Sequence, residues 1–128
     1  MIGVAIVDSD ETMRASVRAL IGATSDISLQ YEEAFMGGGT QGILRSTGIN
    51  ILMLGLPVKG LPAEELIREI KGQHPSLRII LVTALATMDN ARCAFEAGAT
   101  GFIAKPNLAN DLLAAIRRVA SGGVYVSL

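Results

Sequence analysis

The chain has no tryptophan, one cysteine and one histidine among its 128 residues, with only two tyrosines and three phenylalanines. A single cysteine, Cys93, excludes an internal disulfide and suits a reducing compartment. Neither Cys93 nor the lone His74 has the His or Cys partners that a transition-metal site or an activated thiol needs. His74 is read as a solvent-facing residue in the last turn of a helix, ahead of Pro75. So few rings leave little aromatic surface to stack a flavin. Neither sign of charge dominates, since the net charge is −1. A surface that holds a nucleic-acid backbone carries a basic excess, so residues 1–128 are not expected to bind DNA themselves. No apolar run approaches the roughly 20 residues that span a bilayer. The start, Met1-Ile2-Gly3-Val4, lacks the charged region and long apolar stretch of a secretory signal. A cytoplasmic domain without membrane attachment is expected.

What is present is aliphatic. Half the residues are hydrophobic, and the length fits one domain with a proper core. Five short apolar runs, Gly3–Val7, Ile27–Tyr31, Asn50–Leu54, Arg78–Val82 and Gly101–Ala104, alternate with longer amphipathic segments. Runs that are apolar throughout predict strands of a parallel sheet covered on both faces. Ile27–Tyr31 instead alternates with Ser28 and Gln30, which predicts a strand near the edge. Helices are expected at about Glu11–Ala23, Gly39–Ser46, Ala63–His74, Met88–Ala97 and Leu108–Ser121. Met13, Val17, Leu20 and Ile21 share one face of the first, and Leu112, Leu113, Ile116 and Val119 one face of the last. Pro62 suits a first helical turn, Gly98 a helix end, and Gly122-Gly123 a terminator. Strands alternating with helices predict a doubly wound α/β sandwich with right-handed crossovers. Gly37-Gly38-Gly39 has neither G-x-x-x-x-G-K-[ST] nor G-x-G-x-x-G spacing, so it is read as a turn into the short second helix.

Open α/β sheets place their sites at the carboxyl ends of the strands. Asp8 ends the first run, Thr83 the fourth, and Lys105 the fifth, followed by Pro106. The third run, Ile51-Leu52-Met53-Leu54-Gly55-Leu56-Pro57, contains no acid. An acid, a hydroxyl and a lysine are therefore expected to converge on one crevice.

These pieces resemble the receiver domain of two-component response regulators. The resemblance rests on Val7-Asp8, Leu56-Pro57, Val82-Thr83-Ala84, Glu96-Ala97-Gly98-Ala99, Gly101-Phe102-Ile103-Ala104-Lys105-Pro106 and the tail Ser121-Gly122-Gly123-Val124-Tyr125-Val126-Ser127, which is similar to the end of receivers in LuxR/NarL-type regulators. It covers the chain from Val4 to about Val126. It implies a flavodoxin-like (βα)5 fold, a five-stranded sheet of order 2-1-3-4-5, and a regulatory rather than catalytic role. In that family a strand-three aspartate, four residues before the proline, accepts a phosphoryl group; here that position is Met53, whose thioether forms no acyl phosphate. The family's adjacent acid pair, which helps hold Mg²⁺, is here Asp8-Ser9. Asp10 suits the first helix cap better than a metal, so Mg²⁺ binding is expected to be weak or absent and no other cofactor is implied. Lys105 is expected to bridge to Asp8, and Thr83 and Phe102 match the family's switch pair. A degenerate pseudo-receiver follows as the expectation. It would act by dimerisation or by contact with a partner protein, and would reach DNA only through a separate helix-turn-helix domain beyond Leu128. Ala86, Met88, Ala91 and Phe95 are a candidate apolar contact surface. The competing readings are a small flavodoxin-like ligand-binding or enzymatic domain, and a stand-alone adaptor.

Overall fold

The computed structural model describes residues 1–46, 48–55 and 63–128. Pro57 and Pro62 lie outside the described residues. In chain order the elements are β1 (Ile2–Val7), α1 (Glu11–Gly22), β2 (Ile27–Glu33), α2 (Gly38–Leu44), β3 (Ile51–Gly55), α3 (Ala63–Gln73), β4 (Arg78–Thr83), α4 (Met88–Ala97), β5 (Gly101–Ala104), a 3-10 turn (Lys105–Asn107), α5 (Leu108–Ala120) and β6 (Tyr125–Ser127).

The strands form one parallel sheet of order β2-β1-β3-β4-β5-β6. β2, whose sequence alternates, is an edge strand, while β3 and β5 are buried along their whole length. Because side chains alternate across a strand, each buried strand feeds two cores. Val4, Ile6, Ile51, Met53, Ile80, Val82 and Ile103 pack against Met13, Val17 and Ile21 of α1 and Leu112, Ala115, Ile116 and Val119 of α5. Ala5, Val7, Leu52, Leu54, Ile79, Leu81 and Phe102 face the other way, onto α2, α3 and α4. Helices on both faces are what all-apolar parallel strands require.

The sheet has six strands rather than the expected five. Gly122-Gly123 does end α5, but the chain then turns back and pairs Tyr125, Val126 and Ser127 with Gly101, Phe102 and Ile103 of β5. Gly122 makes the turn possible, at φ +96° in the left-handed region. Gly98 closes α4 in the same way, at φ +122°.

His74 is a second correction. It follows α3 and is buried, with Nε2 3.0 Å from Gln41 Oε1 of α2. A hydrogen-bonding partner from another element, 33 residues away in sequence, covers the ring that its polar character suggested would face water.

Candidate functional site: a crevice with its own cation

β1, β4 and β5 end at the same rim, and each delivers one of the expected side chains. Asp8 follows β1 and is almost wholly buried, at 3% exposure. Its backbone N–H donates to the Glu33 carbonyl of β2 at 3.0 Å, which fixes the chain as it leaves the sheet. Its Oδ1 accepts from the Asp10 N–H at 2.8 Å. Its Oδ2 is buried with no hydrogen-bond partner among the described residues, and the Lys105 ammonium stands 4.0 Å away. A buried carboxylate oxygen without a donor is costly. The lysine charge offsets part of that cost through space.

Lys105 has a closer partner than the one expected. Its Nζ is 3.1 Å from Asp10 Oδ2 and 4.0 Å from Asp8 Oδ2. The expected Asp8–Lys105 bridge is therefore the longer arm of a three-residue group. Asp10 does two jobs at once. Its Oδ1 caps α1, accepting from the Thr12 and Met13 N–H groups at 2.9 and 3.3 Å, and its Oδ2 holds Lys105. The Lys105 ammonium, then the Met13 N–H, keep the Asp10 carboxyl below the usual carboxylate range. Ser9 between the two acids is exposed.

The third strand contributes an absence of side chain as well as an absence of acid. Val7 pairs with Leu54, so Asp8 comes level with Gly55. A Cβ on Gly55 would lie 1.7 Å from Asp8 Oδ2 and 2.2 Å from its carboxyl carbon. The Asp8 carboxylate occupies the space that any other residue at position 55 would fill. Reading the sequence for charged groups missed Gly55. The available signal was a lone glycine ending an otherwise bulky strand, which marks a close approach of neighbouring groups. Met53 is fully buried, pairs with Ile6 and Ile80, and packs into the α1/α5 core.

Thr83 is buried at the end of β4, and its Oγ1 accepts from the Leu85 N–H at 3.0 Å. Phe102 is fully buried on the opposite, α4-side core. Pro106 is exposed within the 3-10 turn. Of the candidate contact residues, Ala91 belongs to the core and Ala86 and Phe95 pack against it; Met88 is exposed, as is Leu85 beside it.

Among the described residues the rim thus brings together two carboxylates, one ammonium and one committed hydroxyl. Among the described residues no three His, Cys, Asp or Glu side chains gather as a metal group. Mg²⁺ is held by several hard oxygens in near-octahedral array. Here one of the two acids is engaged in capping, and a fixed cation stands against both. At the opposite, amino end of the sheet lies a cleft of about 740 Å³ lined by Arg45, His74 and Arg78 among others. Arg78 Nη1 donates to the Val119 and Ala120 carbonyls at the end of α5, at 2.5 and 3.1 Å. Nearby, Lys71 donates to the Pro75 and Leu77 carbonyls. Burial, then Arg78, pushes the Lys71 ammonium below its ordinary pKa. Arg78 thus caps the end of α5, and Lys71 ties down the turn between α3 and β4.

Helices on both faces of a parallel sheet, with an acid–lysine crevice at the carboxyl ends of its strands, define a doubly wound α/β domain with its site where such folds place it. The chain belongs to the response regulator receiver domain family, whose model matches residues 4–117. It is 26% identical over 127 residues to the response regulator UvrY of Escherichia coli, covering 99% of this chain and 58% of that protein. It is 25% identical over 126 residues to a nitrate/nitrite response regulator homolog of Haemophilus influenzae, covering 97% of this chain and 59% of that protein. The chain therefore spans about three-fifths of the length of these curated relatives. Among solved structures it is similar to a LuxR-family two-component response regulator from Aurantimonas sp. SI85-9A1, with TM-score 0.85 and 27% identity over 96% of this chain and 87% of that one. The non-phosphorylated receiver domain of Escherichia coli RcsB shares the fold, with TM-score 0.87 at 19% identity over 98% and 97% of the two chains.

Two predictions follow from the crevice. Gly55→Ala will destabilise the domain by about 1–3 kcal/mol, the usual cost of overpacking. Asp8→Ala in the same chain will recover part of that loss, a coupling read by urea denaturation of the two single variants and the double. Additive effects would show that the Asp8 carboxylate does not occupy the space above Gly55. Asp10→Ala will cost about 1 kcal/mol through the lost cap, whereas Asp10→Asn keeps the cap and loses only the charge on Lys105. A depressed folded pKa gives stability that is present above the unfolded value of 3.8 and lost as pH falls through the folded value. The gap between wild type and Asp10→Asn in urea midpoint will therefore be constant near neutrality and will close in acid, below the ordinary carboxylate range.

Proposed function

We propose that this is a LuxR/NarL-type receiver that signals without taking up a phosphoryl group, its output set by contact with another protein or a second copy of itself. The observation that carries the reading is the composition of β3. Ile51–Gly55 holds no carboxylate, Met53 is locked in the core, and Gly55 is the residue beneath the Asp8 carboxyl. A thioether and a bare backbone offer no oxygen nucleophile for phosphoryl transfer.

The charges of the crevice support the same reading. An incoming phosphoryl group needs cations that are free to meet it, and Lys105 is already shared between Asp10 and Asp8. Two acids that sit beside a fixed ammonium make a poor Mg²⁺ site, so Asp8 and Asp10 are assigned to structure rather than to metal. Met53 is assigned as an apolar filler, which suits its adaptable side chain. Thr83 and Phe102 have no phosphoryl group to follow, and a switch needs a ligand that distinguishes its two states. The domain is read as regulatory and without catalytic activity. With a net charge of −1, it leaves DNA contact to a separate domain, a division supported by its likeness to longer regulators.

Exposure of the purified chain to acetyl phosphate and Mg²⁺, followed by intact-mass spectrometry, tests this. The expected spectrum shows the unmodified mass alone. A gain of one phosphoryl group that maps to this crevice would overturn the proposal.

A further inference from the structure

Tyr125 of the added strand β6 packs its ring against the α1/α5 core, and the rest of the strand is held by polar contacts. Its ladder covers only three residue pairs, and Val124, Val126 and Leu128 remain about half exposed, at 50%, 46% and 47%. Asp111, in the first turn of α5, accepts from the Tyr125 hydroxyl at 2.8 Å and from the Ser127 hydroxyl at 2.5 Å. Asn107 Nδ2 donates to Ser127 Oγ at 2.9 Å and to the Leu128 carbonyl at 3.2 Å. Arg118 Nε donates to the Val124 carbonyl at 2.7 Å. The Tyr125 and Ser127 hydroxyls hold the Asp111 carboxyl below its usual range, so it is an anion, the form that accepts both bonds, near neutral pH. An edge segment with few buried apolar atoms belongs to the low end of local stability. Its attachment is directional, and a small displacement of its partners costs several bonds together.

Those partners are tied to the crevice. Asn107 is the third residue of the 3-10 turn whose first residue is Lys105. Pro106 fixes φ between them, the Leu108 N–H closes the turn on the Lys105 carbonyl, and Leu108 is anchored in the α1/α5 core. One short, stiff segment therefore carries both the ammonium that meets Asp8 and Asp10 and the amide that meets β6.

We propose that β6 is a latch whose docking is coupled to the crevice through the Lys105–Asn107 turn. Drawing Lys105 away from Asp10 and Asp8 shifts Asn107, breaks its bonds to Ser127 and Leu128, and frees Tyr125–Ser127 to pivot about Gly122-Gly123. The proposal rests on the fold and its hydrogen bonds, not on whether the domain is phosphorylated.

Amide hydrogen exchange of the whole chain at constant pH tests it. Asn107→Ala and Asp111→Ala will each speed exchange at Tyr125–Ser127 by about tenfold or more, as loss of one or two hydrogen bonds from a locally opening segment requires. Exchange in Ile79–Val82 will not change. Lys105→Gln will speed the same amides, and adding Lys105→Gln to Asn107→Ala will bring no further increase. Asp10→Asn, which breaks the same ion pair from the other side and keeps the α1 cap, will reproduce the effect of Lys105→Gln should that variant fold poorly. Unchanged exchange in Asn107→Ala and Asp111→Ala would overturn the latch. Wild-type exchange in Asp10→Asn, or a Lys105→Gln effect that persists without Asn107, would overturn the coupling.

Discussion

A carboxylate taken almost wholly out of water organises the carboxyl end of this sheet. Asp8 is buried, and among the described residues one of its oxygens has no donor and its nearest cation is 4.0 Å away. Removing a charge from water costs several kcal/mol unless neighbours compensate, so the residues around Asp8 are constrained by it. Gly55 must lack a side chain, because the carboxyl fills that space. The Asp10 N–H must turn inward to reach Oδ1, which in turn sets Asp10 up to cap α1. Lys105 must end β5 within reach of both acids. The sheet supplies the frame: strands buried on both faces bring these three points to one rim, and the two aliphatic cores hold them there.

The same constraint governs the charges of the crevice. Among the described residues two acids, Asp8 and Asp10, share one cation, and that cation is tethered by the backbone rather than bound from solution. A tethered ammonium neutralises charge with no ligand to gain or lose. In the proposed reading, changes of the crevice come through movement of Lys105. The 3-10 turn then matters more than the strand ends, since the proposed coupling to Asn107 and β6 runs through it. The amino end of the sheet shows the opposite use of charge: Arg78 and Lys71 spend their donors on carbonyls at chain turns and helix ends.

Most of the architecture was legible in the sequence because buried parallel strands cannot be written in other residue types. Ile79-Ile80-Leu81-Val82 reads as a strand covered on both faces, and the alternation Ile27, Leu29, Tyr31 reads as an edge. The crevice was legible as residue types at strand ends, but not in its pairing. Asp8 and Asp10 are equally acidic in sequence, and only the turn into α1 decides that Asp10 reaches Lys105 first. Gly55 was invisible to a search for charged groups because its contribution is empty space. β6 was missed because three residues after a glycine pair carry too little periodicity. What fixes it is Asp111 and Asn107, which lie 14 to 20 residues earlier in the chain. His74 was misread for the same reason: its partner, Gln41, comes from a distant element.

The central claim, that Lys105 serves as the resident cation of a crevice with no phosphoryl acceptor, is tested most directly by crystals of the chain grown with Mg²⁺ and beryllofluoride. The account predicts Lys105 Nζ still between Asp10 and Asp8, with neither metal nor beryllium bound at the rim. A metal on Asp8 Oδ2 with beryllofluoride beside it and Lys105 turned toward the fluorines would contradict it.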